Sequence, residues 1–185
     1  MPAIAKRVII GDSIPFKCAW SSIADNCANV AIPGNTTAQM WSRFDNDVIA
    51  RSPTAVLIWG GINDIAQSQQ ISPLMLLYMA RAAEAAAVHA EALVGTILPI
   101  LHWDSSYPYT NLAEMNARVQ AWNGSIRGMC ADEGYTLLDF AAAFRDGSGN
   151  VRSELYLPDG IHPNAAGRQV ILDTARELFL DAVPG

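Results

Sequence analysis

Val8-Ile9-Ile10-Gly11-Asp12-Ser13 decides how the rest of the chain is read. Three β-branched residues in succession suit a strand buried on both faces. Gly11 ends the run where the backbone can turn sharply, which leaves Ser13 at the top of the strand. Pro15 follows at a position where a helix can start without missing its N–H. A hydroxyl on a strand-to-helix turn at the carboxyl edge of a sheet stands where open α/β folds carry their chemistry. A plain helix-capping role for Ser13 is the competing reading.

Outward from this stretch, apolar β-type runs alternate with longer amphipathic ones, and no repeat or low-complexity linker interrupts them. Residues 15–25 read as a short helix and Ala28–Ile32 as a second strand, closed by Pro33-Gly34. Thr36 and Gln39 have the spacing of a capping box. The helix they start carries Met40, Trp41, Phe44 and Val48 at helical spacing. Ala55–Trp59 is a third strand, ended by Gly60 and Gly61. Ser72 and Pro73 open an Ala-rich helix to about residue 90, and Leu93–Ile97 is the fourth strand. A loop from Pro99 to Thr110 leads to a helix over 112–133. Residues 135–140 form the fifth strand, and a last helix covers about 165–182. Five apolar strands separated by helices predict a parallel sheet with helices on both faces, a three-layer α/β/α, flavodoxin-like arrangement. All carboxyl ends of such strands share one edge, so the turns after strands one, two and three and the segment after strand five gather there.

The 185 residues fit one domain, 1–185, with a substantial core. Hydrophobic residues make up 51% and charged ones 16%, a balance that argues against disorder. No apolar stretch approaches a bilayer span, so integral membrane association is excluded. A net charge of −6 without any Lys/Arg cluster repels a phosphate backbone and disfavours nucleic acid or anionic membranes as partners. The first strand starts within a few residues of Met1, which leaves no room for a signal peptide and points to the cytoplasm unless the chain is a trimmed mature form. Cys18, Cys27 and Cys130 are odd in number and match no zinc spacing. They read as reduced, mostly buried thiols, with a Cys18–Cys27 bridge left open.

A serine nucleophile needs a base in hydrogen-bond reach and a carboxylate to orient that base. The histidines available are His89, His102 and His162. His89 falls inside the Ala-rich helix, away from any strand end. His162 follows the fifth strand, and Asp159 precedes it by three residues across a glycine, so a tight turn can bring carboxylate to ring. An Asp-Gly turn before a proline is also ordinary loop punctuation. His102, with Asp104 two residues on, is the rival base. Its expected role is a pocket wall or polar anchor, together with Trp103, Tyr107 and Tyr109 of the same loop. A developing oxyanion needs donors. Gly34, before a helix and without a side chain, can offer its N–H; Asn63, in Gly61-Ile62-Asn63-Asp64, can offer a side-chain amide. Their competing roles are a turn glycine and a helix cap.

With these residues in place, the chain resembles the SGNH hydrolases of the GDSL esterase/lipase superfamily over essentially its whole length. Gly11-Asp12-Ser13 matches the first block of that family, with Ile14 in place of the usual leucine. Gly34 matches the second block, Gly61-x-Asn63-Asp64 the third and Asp159-x-x-His162 the last. The nearest likeness is to small bacterial lysophospholipase/thioesterase-type and acetylhydrolase-type members. The resemblance implies Ser13 as nucleophile, His162 as base, Asp159 as orienting acid, and an oxyanion hole from the N–H groups of Ser13 and Gly34 and the Asn63 amide. It also implies that Asp12 organises the turn rather than reacting.

The expected activity is hydrolysis of small-molecule esters, of short acyl or acetyl groups, through an acyl-enzyme. Short loops and small size leave little room for a lid, and the aromatic loop suits an acetylated sugar. No metal or organic cofactor is implied, because the serine mechanism supplies its own nucleophile. The alternative from another class is a catalytically silent carbohydrate- or lipid-binding module on the same fold. A flavin or nucleotide protein is disfavoured because neither a Gly-x-Gly-x-x-Gly nor a Walker-type sequence appears. The oligomeric state is not legible in these residues.

Overall fold

A computed structural model of the chain describes residues 6–67, 72–86, 90–102 and 111–181. Its centre is a five-stranded sheet in the order β2-β1-β3-β4-β5, with every pairing parallel. The strands are β1 (Arg7–Gly11), β2 (Cys27–Asn29), β3 (Ala55–Trp59), β4 (Glu91–Gly95) and β5 (Thr136–Leu138). The helices are α1 (Ser13–Phe16), α2 (Thr37–Ser42), α3 (Phe44–Asp47), α4 (Ile62–Gln67), α5 (Leu74–Ala85), α6 (Leu112–Glu133), α7 (Phe140–Ala143) and α8 (Ala165–Asp181).

Side-chain alternation sorts the core into two layers. Val8, Ile10, Val56, Ile58 and Val94 point to one face, where Met40 of α2, Leu76 and Met79 of α5 and Trp122 and Ile126 of α6 cover them. Ile9, Leu57, Trp59 and Leu93 point to the other, against Ile14 of α1, Phe140 of α7 and Ile171 and Ala175 of α8. Both central strands are buried along their whole length, which is why they read as unbroken apolar runs. This is the three-layer α/β/α architecture expected from the sequence.

Several boundaries differ from expectation. The helix foreseen over 15–25 is one turn, α1, followed by a 3₁₀ turn at Trp20–Ser22. The second strand, at the sheet edge with one neighbour, is regular over Cys27–Asn29, three residues short of the expected Ile32, although the N–H groups of Val30 and Ile32 still donate to the Ile9 and Gly11 carbonyls of β1. β4 starts at Glu91 and ends at Gly95, two residues earlier than the apolar pattern suggests. Thr36 and Gln39 do form a capping box, yet the helix they start stops at Ser42 and resumes as α3 after Arg43. Gly60-Gly61 leads directly into α4, a helix the sequence reading left out.

Cys18 and Cys130 are buried and Cys27 half-buried, all three as free thiols. Burial pushes the Cys18 and Cys27 thiols up to about 12 and the Cys130 thiol up to about 11, the opposite of the shift that activates a thiol nucleophile. Among the described residues, no helix is long and apolar enough to cross a membrane. His89, Trp103, Asp104, Tyr107 and Tyr109 lie outside the described residues.

Candidate active site

Gly11 is dictated by close approach: a Cβ there would lie 2.2 Å from the carbonyl oxygen of Trp59 and 2.4 Å from Cγ of Pro15. Asp12 then caps α1, its Oδ1 accepting the Ile14 N–H at 3.0 Å, and Ser13 is the first residue of the helix. The Ser13 N–H is therefore one of the donors that a helix start leaves without an intrahelical acceptor.

At the far end of the chain, residues 157–162 close into a compact loop. The Leu157 N–H donates to the His162 carbonyl and the Gly160 N–H to the Leu157 carbonyl. Two bonds tie this loop to the exit of β4: Leu101 N–H to the Gly160 carbonyl, and the Tyr156 hydroxyl to the Pro99 carbonyl at 2.6 Å. Held this way, His162 presents Nε2 at 2.8 Å from Ser13 Oγ and Nδ1 at 2.9 Å from Asp159 Oδ2. Asp159 Oδ1 also accepts the N–H groups of Ile161 and His162.

Partial burial raises the Asp159 carboxyl, but those two N–H groups and the His162 ring outweigh it, and its pKa falls below the usual value. An ionised carboxylate only accepts, so the ring proton sits on Nδ1 and Nε2 is bare toward Ser13. Hydroxyl, imidazole and carboxylate thus form one hydrogen-bonded line, an arrangement that can take a proton from the serine as its oxygen attacks a carbonyl.

Gly34 adopts φ +83°, with nothing within 4 Å of a would-be Cβ, so its backbone conformation rather than crowding demands glycine. Asn63 lies in the first turn of α4 and does not cap it; its Nδ2 donates to the Asn35 carbonyl at 3.0 Å. Asp64 accepts from both the backbone N–H and the hydroxyl of Thr37, and so fastens the start of α4 to the start of α2. Sequence reasoning passed over this clamp, although Asp64 sits inside the third block and Thr37 three residues beyond Gly34. His102 does not meet Ser13; its backbone lies against Gly160, where a Cβ would come within 2.5 Å of the His102 nitrogen. Among the described residues, no group of three or more His, Cys, Asp or Glu side chains is arranged to hold a metal ion.

A profile of the GDSL-like Lipase/Acylhydrolase family matches residues 9–170. The chain belongs to this family. Membership of the GDSL-like family places it among the ester-hydrolysing enzymes. A search of curated proteins found no match. Solved structures share the fold. A GDSL-like lipase from Bacteroides thetaiotaomicron superposes with a TM-score of 0.78 at 20% identity, over 96% of this chain and 89% of that one. The lipase/acylhydrolase from Enterococcus faecalis gives 0.73 at 16%, over 97% of each. A catalytic mutant of an acetylxylan esterase from Geobacillus stearothermophilus gives 0.75 at 17%, over 100% of this chain and 99% of that one.

Asp12 makes a separate, measurable prediction for this GDSL-like chain. Burial drives its carboxyl up to about 7; the Ile14 N–H opposes the rise and the charge of Asp64 adds to it. Between the ordinary carboxylate range and pH 7, the folded chain keeps a proton that the unfolded chain has released, so stability falls as pH rises through that window. At about 1.4 kcal/mol per pKa unit, the loss is on the order of a few kcal/mol. Asp12→Asn keeps an acceptor for Ile14 but removes the proton. Its melting temperature relative to wild type is expected to climb between pH 4 and pH 8; a difference that stays constant across those pH values contradicts the buried neutral acid.

Proposed function

We propose that the chain is a serine esterase that cleaves short-acyl or acetyl esters through an acyl-enzyme. The observation that carries this reading is the unbroken line from Ser13 Oγ through the His162 ring to Asp159. His162 takes the serine proton as Oγ attacks the ester carbonyl, and Asp159 holds the ring in the tautomer that presents Nε2. The oxyanion is bound by the N–H groups of Ser13 and Gly34 and by the free N–H of the Asn63 amide. The tetrahedral intermediate expels the alcohol, which receives the proton from His162. Water then attacks the acyl-serine with His162 again as base and frees the acid.

The chain's small size is in keeping with small esters, and one structure of the same fold is that of an acetylxylan esterase. The reading takes acetyl groups on a soluble carrier, sugars included, as the substrates. His102, whose backbone lies beside Gly160 of the Asp159–His162 loop, is assigned to the wall of the pocket; Trp103, Tyr107 and Tyr109, the other candidates, lie outside the described residues.

A fluorophosphonate probe tests the reading directly. The wild type is expected to gain one covalent adduct, located on Ser13 by peptide mass spectrometry, and Ser13→Ala to gain none. Across chromogenic esters of increasing acyl length, kcat/KM should be highest for acetyl and fall with length. A wild type that neither labels nor turns over any ester is instead a binding module that retains the fold.

A further inference from the structure

The proposed oxyanion donors sit on different elements, and a guanidinium bonded to Asn35 braces the turn on which one of them, Asn63, rests. An amide carries two N–H donors. One N–H of Asn63 is spent on the Asn35 carbonyl, which sets the rotamer and leaves the second for the site. Asn35 is therefore the template for Asn63. It is itself held by Arg43, whose Nε donates to Asn35 Oδ1 at 2.9 Å. The same guanidinium donates through Nη1 to the Val30 carbonyl at 2.7 Å and to Asp47 Oδ2 at 2.7 Å. It thus spans the exit of β2, the Gly34–Asn35 turn and α3.

The geometry points to Arg43 as a positioning residue for the Asn63 amide, acting through Asn35. This rests on the esterase reading given above. Two features favour a task beyond packing. Arg43 stands at the break between α2 and α3, where its φ of −116° and ψ of 5° leave the helical range. Its Nη2 is buried without a hydrogen-bond partner among the described residues, a cost that an apolar side chain would not incur. A planar fork that reaches three acceptors in fixed directions is something a lysine does not reproduce.

The test is a double-mutant cycle on a short-chain chromogenic ester, with wild type, Arg43→Met, Asn63→Ala and the double variant, each checked for thermal unfolding. Arg43→Met is expected to lower kcat by ~10–100-fold at near-constant KM, the scale of a displaced catalytic group. In the Asn63→Ala background the same change should cost no more than about twofold, because the group being positioned is already gone. Arg43→Lys serves in the same cycle if Arg43→Met fails to fold, with a smaller loss of the same pattern. Equal losses in both backgrounds, or no loss in the wild-type background, overturn the proposal while leaving the esterase reading intact. A wild type without turnover overturns both.

Discussion

His162→Ala is expected to hydrolyse short-chain esters 10⁴–10⁶-fold more slowly than wild type, an order-of-magnitude range set by losses of a triad base elsewhere. The reason is local. Nε2 of His162 stands 2.8 Å from Ser13 Oγ, and no other described basic side chain reaches that oxygen. Without it, the hydroxyl attacks with its ordinary, very high pKa, and the leaving alcohol departs without a proton. KM should barely change, because the imidazole serves the transition state more than the ground state. Folding should survive: the contact between backbone and Asp159 Oδ1 remains, and the side chain is only three-quarters buried. Steady-state kinetics on a chromogenic acetate ester measures the effect. A residual rate within tenfold of wild type would sink the base assignment. Adding Ser13→Ala to His162→Ala should cost little more, since the two groups act as one unit.

Asn63→Ala carries the second-largest effect, ~10²–10³ in kcat, the scale for removing one oxyanion donor. Its remaining N–H is useful only when charge has moved onto the carbonyl oxygen, so the loss belongs in kcat and not in KM. The rate of fluorophosphonate labelling should fall in parallel, because the phosphonyl oxygen develops charge at the same place. Asp64 still clamps Thr37 in this variant, so α4 stays docked on α2 and thermal unfolding should change little. A kcat within threefold of wild type, with unfolding unchanged, would remove Asn63 from the oxyanion hole.

Much of the fold was readable because the strongest signals are local. β3 begins and ends where its five apolar residues do, and α6 runs over the predicted 112–133, from an Asn111 cap to a left-handed Gly134. The boundaries that slipped are those set by neighbours. Nothing in residues 28–32 says that the strand will lie at an edge and pair over three positions. The apolar spacing from Met40 to Val48 continues smoothly past Arg43, although the helix breaks there as the guanidinium turns to Val30, Asn35 and Asp47.

The site divides along the same line. Ser13, Gly34, Asn63 and the Asp159–His162 pair are each marked by short-range chemistry: a strand-ending turn, a Pro33-Gly34 turn before a helix, a Gly-Ile-Asn-Asp run just after a strand, a three-residue spacing. Sequence alone determined which residues were available and that parallel strands would carry them to one edge. Only the tertiary structure decided that His162 and not His102 faces the serine, and that Asp64 and Arg43 tie the donor loops together. Those outcomes depend on hydrogen bonds between residues as far apart as 149 positions. Directional bonds of that kind leave no periodic trace in a chain, because their partners are chosen by where the folded backbone goes.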